Sequence, residues 1–511
     1  MSSLPPAQWW SPQRPPAEAE LDQRLLDEPD LQSLIRPAPV TDGAYAREVA
    51  QTKRFVERWR ADRSFREALA QDAKGATTRY GLEVDPDFLR PLWNQANEQG
   101  NPSLSPHLRH FRYWLQEKLW RREQTREMDC LPADPRHRAW RARQVRRVLS
   151  QLGSRSHDGI VHAPFAIELS DGCSVGCWFC GVSAKKKGGD FRYEPENARL
   201  WHAIMTVLKE RTGQAGSAGF LYWASDPLDN PDYEKFALDF AQILGRFPQT
   251  TTAIAHHDVE RTRALLRLSL EHGCRINRFS IVSLKQFNTV MAAFTPEELL
   301  HCELIAQNLE SNQLQSSAGR AREAGRLEKV AARKGVDPSQ WEAPAGTIAC
   351  VSGFLINMVT RQIRLITPCP ASTKWPDGYW VLDEDHFEDA SEFEQIIDRM
   401  MQEKMTQSLS ARSEVRFRPD LQFEMVEEGF ALRGPGARTV FRGGSLQAVR
   451  MLHQIGQRLT QGGWTAGELA VVLEDEVGIA AEQTFERLHQ LFDGGFLDEE
   501  PQTQSLAPAL A

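Results

Sequence analysis

The feature that most constrains the fold is an alternation of short apolar strands and amphipathic helices that begins at Ala163 and runs to about residue 370. "APFAIEL" reads as a buried strand and "ENARLWHAIMTVLKE" as a helix. The order repeats through strand "GFLYWAS", helix "DYEKFALDFAQILGRF", strand "TTTAIAH", helix "VERTRALLRLSLEHG" and strand "RFSIVSL". Parallel strands need helical crossovers of this kind, so the pattern predicts βα units in an α/β fold with a parallel sheet. With "TPEELLHCELIAQNL" and the strands "GTIACVSGFLINM" and "RQIRLITPC", about five or six units fit before residue 370. That falls short of the eight that close a barrel, and an open, partial (β/α)6 barrel over 156–411 is expected.

The flanks read differently. Residues 1–40 hold eight prolines and few apolar clusters, which predicts a poorly ordered arm. Residues 41–155 read as a helical N-terminal domain, with Val49, Lys53, Val56 and Trp59 at helical spacing. The Arg-rich "PHLRHFRYWLQEKLWRREQTR" is a second amphipathic helix, and its basic residues are read as a solvated face. Residues 310–345 are charged and poor in apolar residues, an excursion or loose helix. Over 412–500, "LQFEMVEEGFAL" alternates around a Glu-Glu-Gly turn, as a hairpin does. Ala448, Leu452, Ile455 and Leu459 mark a helix, Thr465 and Glu468 a capping box opening a second, and Phe485, Leu488 and Phe492 a third. A hairpin with three helices makes a winged-helix-like α+β domain, followed by a tail at 501–511.

Charge narrows the partners. Lys and Arg number 61 against 69 Asp and Glu, and the net charge of −8 leaves neither a basic footprint for nucleic acid nor a pull toward an anionic membrane. No apolar run reaches membrane-spanning length, and the Pro-rich, polar start is unlike a signal peptide, so a soluble intracellular protein is expected. The segment "TAGELAVVLEDEVGIAAEQTFERLHQLFDGGFLDEE" is acidic where a DNA-recognition helix would need Arg or Lys.

Of eight cysteines, Cys130, Cys274, Cys302, Cys350 and Cys369 are scattered singly, which is no secreted disulfide framework. Cys173, Cys177 and Cys180 crowd into "ELSDGCSVGCWFCGVSAKKKGG", directly after the first strand. A closed zinc site wants four ligands, and a ferredoxin run supplies its own fourth thiolate. Three thiolates on one tight loop suit a [4Fe–4S] cluster with one iron left open for a substrate or cofactor.

"CSVGCWFC" resembles the signature of the radical S-adenosylmethionine enzymes. The resemblance implies that Cys173, Cys177 and Cys180 hold the cluster and that S-adenosyl-L-methionine chelates the open iron, to be cleaved to a 5′-deoxyadenosyl radical. It places Phe179 against the adenine and Ser280 and Ser283 near the ribose. It places Ala224, Ser225 and Asp226 of "WASDPLD" near the cofactor's amino group, where the family has Gly-Gly-Glu-Pro. The wider set "VHAPFAIELSDGCSVGCWFCGVSA", "GFLYWASDPLDNPDYEKF", "FPQTTTA", "NRFSIVSLK", "GTIACVSGFLINM" and "LITPCPASTKWPDGYWV" resembles the proteusin-type peptide epimerases of ribosomal peptide maturation, over about residues 45 to 430.

That likeness implies a bacterial cytoplasmic enzyme converting L- to D-residues in a precursor peptide. Epimerisation needs one Cα hydrogen removed and another delivered from the opposite face, and a thiol is the natural donor because its S–H bond is weak. Cys369, at the end of a predicted strand and held between Pro368 and Pro370, matches the family's donor and is expected at the barrel mouth. Cys350 reads as mid-strand core, and Cys274 and Cys302 as core in helical text. These four are too few for a second cluster, so one is expected. The C-terminal domain resembles the PqqD-like peptide-recognition domain that takes up a leader peptide as an added strand. The implied partners are the leader-bearing precursor and an external one-electron reductant of flavodoxin or ferredoxin type. Cross-linking, excision or dehydrogenation of a peptide, without a thiol donor, is the alternative.

Overall fold

The computed structural model describes residues 43–94, 105–312, 318–323 and 346–501, with a few positions between 325 and 337. The arm expected at 1–40, the tail from 502 and much of the excursion at 310–345 lie outside the described residues. Helix α1 (Gly43–Ala61) packs on α2 (Pro106–Gln124), and α3 (Pro135–His157) leads into the sheets. Helix α2 starts where Ser105 accepts from the Leu108 amide, with Pro106 pre-set in the first turn.

The central array is mixed α/β. In chain order it contains β1 (Ala163–Glu168), α4 (Pro195–Thr212), α5 (Tyr233–Leu244), β2 (Thr251–Thr252), α6 (Val259–Glu271), β3 (Asn277–Ile281), α7 (Leu284–Ala293) and β4 (Cys302–Ala306). Then follow β5 (Val351–Asn357), β6 (Gln362–Pro368), β7 (Tyr379–His386) and α8 (Ala390–Lys404). The strands form two sheets rather than one six-stranded wall. β2, β3 and β4 pair in parallel. In the second sheet β1 pairs in parallel with β5, and β6 and β7 then run antiparallel.

Between the sheets, the predicted strand "GFLYWAS" shrinks to a single bridge from Phe220 to Ala166. The reason is local: the Ala224 amide turns away to the Glu168 carboxylate, and Asp226 caps a tight turn at Pro227–Asp229. The Thr251 hydroxyl donates to Tyr222 at 2.9 Å across the seam.

Two further expectations change. "CELIA" is a strand, with burial alternating along it, so Cys302 is core on β4 and not on a helix. Nor are the basic residues of the N-terminal helices a purely solvated face: Lys118 of α2 is half-buried and pairs with Glu303 of β4. Lys53 is 5% exposed, pairs with Glu57 at 2.7 Å and donates to the Cys302 carbonyl at 2.7 Å, while the Leu304 amide donates to Glu57 at 2.9 Å. Helix α1 thus satisfies backbone groups on the edge strand β4, which would otherwise be open to pairing. The main core lies between β1, β5 and helices α4 and α5, with Phe165, Trp201, Phe236, Phe240 and Phe354 fully buried; each such ring contributes roughly 1.5–3 kcal/mol.

The C-terminal unit has three antiparallel strands, β8 (Gln422–Val426), β9 (Gly429–Arg433) and β10 (Arg438–Arg442), then α9 (Leu446–Gln461), α10 (Ala466–Val477) and α11 (Ala481–Asp493). The third strand was not foreseen. Thr465 and Glu468 make both bonds of a capping box at the start of α10. Buried arginines attach this unit to α3. Arg143 forms a bidentate pair with Glu499 at 2.8 and 2.9 Å and lies over the Phe492 ring. Arg418 donates to Ser150 at 3.1 Å and to the Gly495 carbonyl. No helix among the described residues is long and apolar enough to cross a membrane.

Candidate active site

All eight cysteines are free thiols. The loop that leaves β1 carries three of them, and its course is set by backbone bonds: Cys173 N donates to Lys185 O at 2.9 Å, and Ser174 N to the Asp229 carboxylate at 2.9 Å. Gly172 has φ +81°, and a Cβ there would stand 2.5 Å from the Lys186 carbonyl, so only glycine lets the two limbs approach so closely. The far limb is clamped from a distant segment. Arg320 donates through its guanidinium to the carbonyls of Cys177, at 2.8 Å, and Ala184, and through its amide to Cys180 O at 2.8 Å. Gly319, at φ +55°, has no room for a Cβ against the Cys180 carbonyl.

The three thiols are half-buried. Burial pushes the Cys173 thiol up to about 11; burial, then the neighbouring Cys173 and Cys180, push Cys177 up to about 12. The Ala184 amide donates to Cys180 Sγ at 3.2 Å. Phe179 is half-buried and meets Trp178 edge-on at 5.3 Å.

Ala224 N donates 2.8 Å to Glu168, and Ser225 beside it is half-buried. Asp226 is buried and already engaged, accepting from Thr252 Oγ1 at 2.7 Å, Ala253 N at 2.7 Å and Leu228 N at 3.1 Å. Ser280 is a half-buried residue of β3. Ser283, expected on that strand, lies beyond its end and accepts from Gln286 N as the cap of α7.

Cys369 departs most from expectation. Strand β6 is antiparallel, so the ladder puts Gln362 at the Asn357 and Glu168 end and Pro368 at the opposite one, near Ala163. Cys369 is 2% exposed rather than open at a mouth, and burial pushes its thiol up to about 12. Its amide donates to Gly378 O at 2.9 Å. The loop after it does reach the cysteine loop: Ser183 donates to Asp377 at 2.6 Å, and Gly319 N to Pro376 O. Cys350, read as mid-strand, is a half-buried residue just before β5, and Cys274 is core just past the end of α6.

No family model matches the chain. The uncharacterized protein y4wI of Sinorhizobium fredii (strain NBRC 101917 / NGR234) is 36% identical over 473 residues, covering 89% of this chain and 88% of that protein. The chain belongs to the y4wI family. The structure titled "Crystal structure of BtrN in complex with AdoMet and 2-DOIA" aligns at TM-score 0.26 and 13% identity, over 40% of this chain and 72% of that one, a likeness too slight to bear on fold or function.

In this y4wI-family chain the cysteine loop brings three free thiols together, with the Ala184 amide donating to Cys180 Sγ, a donor set of the kind that holds thiolate-bound iron. Because burial holds Cys173 and Cys177 protonated, loading would release protons from them.

The sequence reading missed the acid that closes β1, just ahead of the cysteine loop. Glu168 is buried, its carboxyl raised by burial against the nearby Arg364 charge, and it also accepts from Asn357 at 3.2 Å. A single Glu closing an otherwise apolar strand was the available signal. Arg364 Nε is buried without a partner among the described residues.

Asp226 gives a testable pH signature. Burial raises it to about 6 despite its three donors. A carboxyl whose folded pKa is raised binds more protons folded than unfolded between about pH 4 and 6, so stability falls as pH rises through that window, by about 3 kcal/mol for this group. Asp226→Asn, which cannot ionise, is expected to flatten that slope in denaturant titrations at pH 4.5 and 7; an unchanged slope would show that other groups set it.

Proposed function

We propose that this chain is a radical S-adenosylmethionine enzyme that epimerises L- to D-residues in a ribosomal precursor peptide. One observation carries the reading: three free thiols on a glycine-bent loop directly after β1, clamped by Arg320 and set beside buried Glu168. When bound, a [4Fe–4S] cluster on Cys173, Cys177 and Cys180 with S-adenosyl-L-methionine would supply a carbon radical able to take a Cα hydrogen. Glu168, with Arg364 and its unfilled donor nearby, suits a ligand that carries both ammonium and carboxylate. Phe179 and Ser225 would line the same space.

Cys369 would then deliver a hydrogen atom to the opposite face of the Cα radical. The sulfur left behind takes one electron from an external reductant and one proton from solvent. The two edges of the C-terminal sheet, β8 and β10, leave a place for a leader peptide to add as a strand.

The burial of Cys369 at the far end of β6 favours a second reading, a peptide cross-linking, excision or dehydrogenation that uses no thiol. Turnover in deuterium oxide separates the two. Epimerisation places a single solvent deuterium on each modified Cα, and Cys369→Ala is expected to keep cofactor cleavage while losing D-residues. Product with no deuterium, or D-residues made by Cys369→Ala at the wild-type rate, would remove Cys369 from the mechanism.

A further inference from the structure

A cavity of about 280 Å³ lies at the end of the strand array away from the cysteine loop, where the starts of β3 and β4 and the residues just ahead of β1, β2 and β5 converge beneath α2. Nothing in the proposed radical chemistry uses it. One face of α2 forms its roof, with Leu115, Lys118, Leu119 and Arg122 at helical spacing, and Phe247 and Ile276 add apolar wall.

Its charge runs against that of the chain. Lys118, Arg121, Arg122, Arg246, Arg275 and Arg278 line it against only two acids, Asp129 and Glu303, in a protein of net charge −8. Arg121 is neutralised by Glu117 at 2.5 Å and Arg246 by Asp129 at 3.4 Å. Glu303 is shared: Lys118 pairs with one oxygen and Arg278 with the other at 3.1 Å. Burial would raise the Glu303 carboxyl, but those two cations hold it at about 2.

The side chain of Arg122 has no hydrogen bond or ion pair among the described residues, although burial disfavours its charge. Arg275, exposed at the rim, likewise has no carboxylate partner among the described residues. A partly desolvated guanidinium with open donors beside apolar wall recognises a carboxylate, sulfonate or phosphate attached to a flat or aliphatic body.

The geometry points to a binding site for a small organic anion in this cavity, its charged group on Arg122 and its apolar body against Leu115, Leu119 and Phe247. The site is independent of the cysteine loop and of the reaction proposed for it.

Fluorescence titration of the full chain with 8-anilinonaphthalene-1-sulfonate tests this. N-phenyl-1-naphthylamine, the same rings without the sulfonate, serves as the neutral control. Wild-type protein is expected to bind the anion saturably and the neutral probe at least about tenfold more weakly, and Arg122→Gln to weaken the anion about tenfold while leaving the neutral probe unchanged. Arg275→Glu, on the exposed rim, is expected to weaken the anion several-fold and decides the matter if Arg122→Gln folds poorly. Equal affinity for the two probes, or anion binding unchanged in both variants, would overturn the assignment.

Discussion

Cys177→Ala is expected to load no cluster. Reconstituted without oxygen, the wild-type chain should hold about four irons, with the broad visible absorption of thiolate-bound iron. The variant should hold fewer than about one. Cys177 is the middle thiol, the one whose field includes both others, and its carbonyl is held by Arg320. Gly172→Ala tests the same loop without touching sulfur. It forces a side chain onto a φ of +81° with the Lys186 carbonyl 2.5 Å away, and is expected to cost at least about half of the iron load. Iron retained by Cys177→Ala at the wild-type level would sink the cluster assignment, and about eight irons in wild type would reveal a second cluster.

Replacement of Arg147 should have the largest effect on stability. This guanidinium is fully buried on α3, donates to Gln144 at 2.7 Å, Gln151 at 2.6 Å, Thr367 at 3.2 Å and the Pro368 carbonyl at 2.7 Å, and stacks on Trp380 at 3.8 Å. Arg147→Ala takes this donor from the Gln144, Gln151 and Pro368 oxygens around a cavity and is expected to cost about 3 kcal/mol or more. Arg147→Lys recovers only part, because one ammonium cannot reproduce the fork. Arg63→Ala, breaking an exposed pair with Glu67, should cost less than about 0.5 kcal/mol. Chemical denaturation compares the three, and equal losses at Arg147 and Arg63 would contradict the role given to burial.

What could be read from the sequence was what is encoded over a few residues. The hairpin around Glu427 and Glu428, the Thr465 and Glu468 box and the stripe of Phe485, Leu488 and Phe492 depend on neighbours in the chain, and the structure contains all of them. The cysteine spacing is equally local, and its loop folds back on itself. Contacts across long stretches of chain were not legible. Arg320 reaches Cys177 from 143 residues away, and Asn357 reaches Glu168 from 189. The direction of β6 decides where Cys369 lies, yet "RQIRLITPC" carries the same apolar pattern whichever way it runs. Local pattern also misled at "GFLYWAS", where bonds to Glu168 and the Asp226 turn override strand propensity.

The bond between Arg143 and Glu499 has a consequence for how the protein is made. The two residues lie 356 positions apart. At ribosomal speeds of about 5–20 residues per second, the carboxylate emerges roughly 20 to 70 s after the guanidinium it covers. Through that interval the Arg143 side of α3 lacks its C-terminal cover, and the Gly495 carbonyl is also still to come. That side of the helix can close only once Glu499 has been made, so the nascent chain presents a half-built surface to chaperones and proteases throughout the interval.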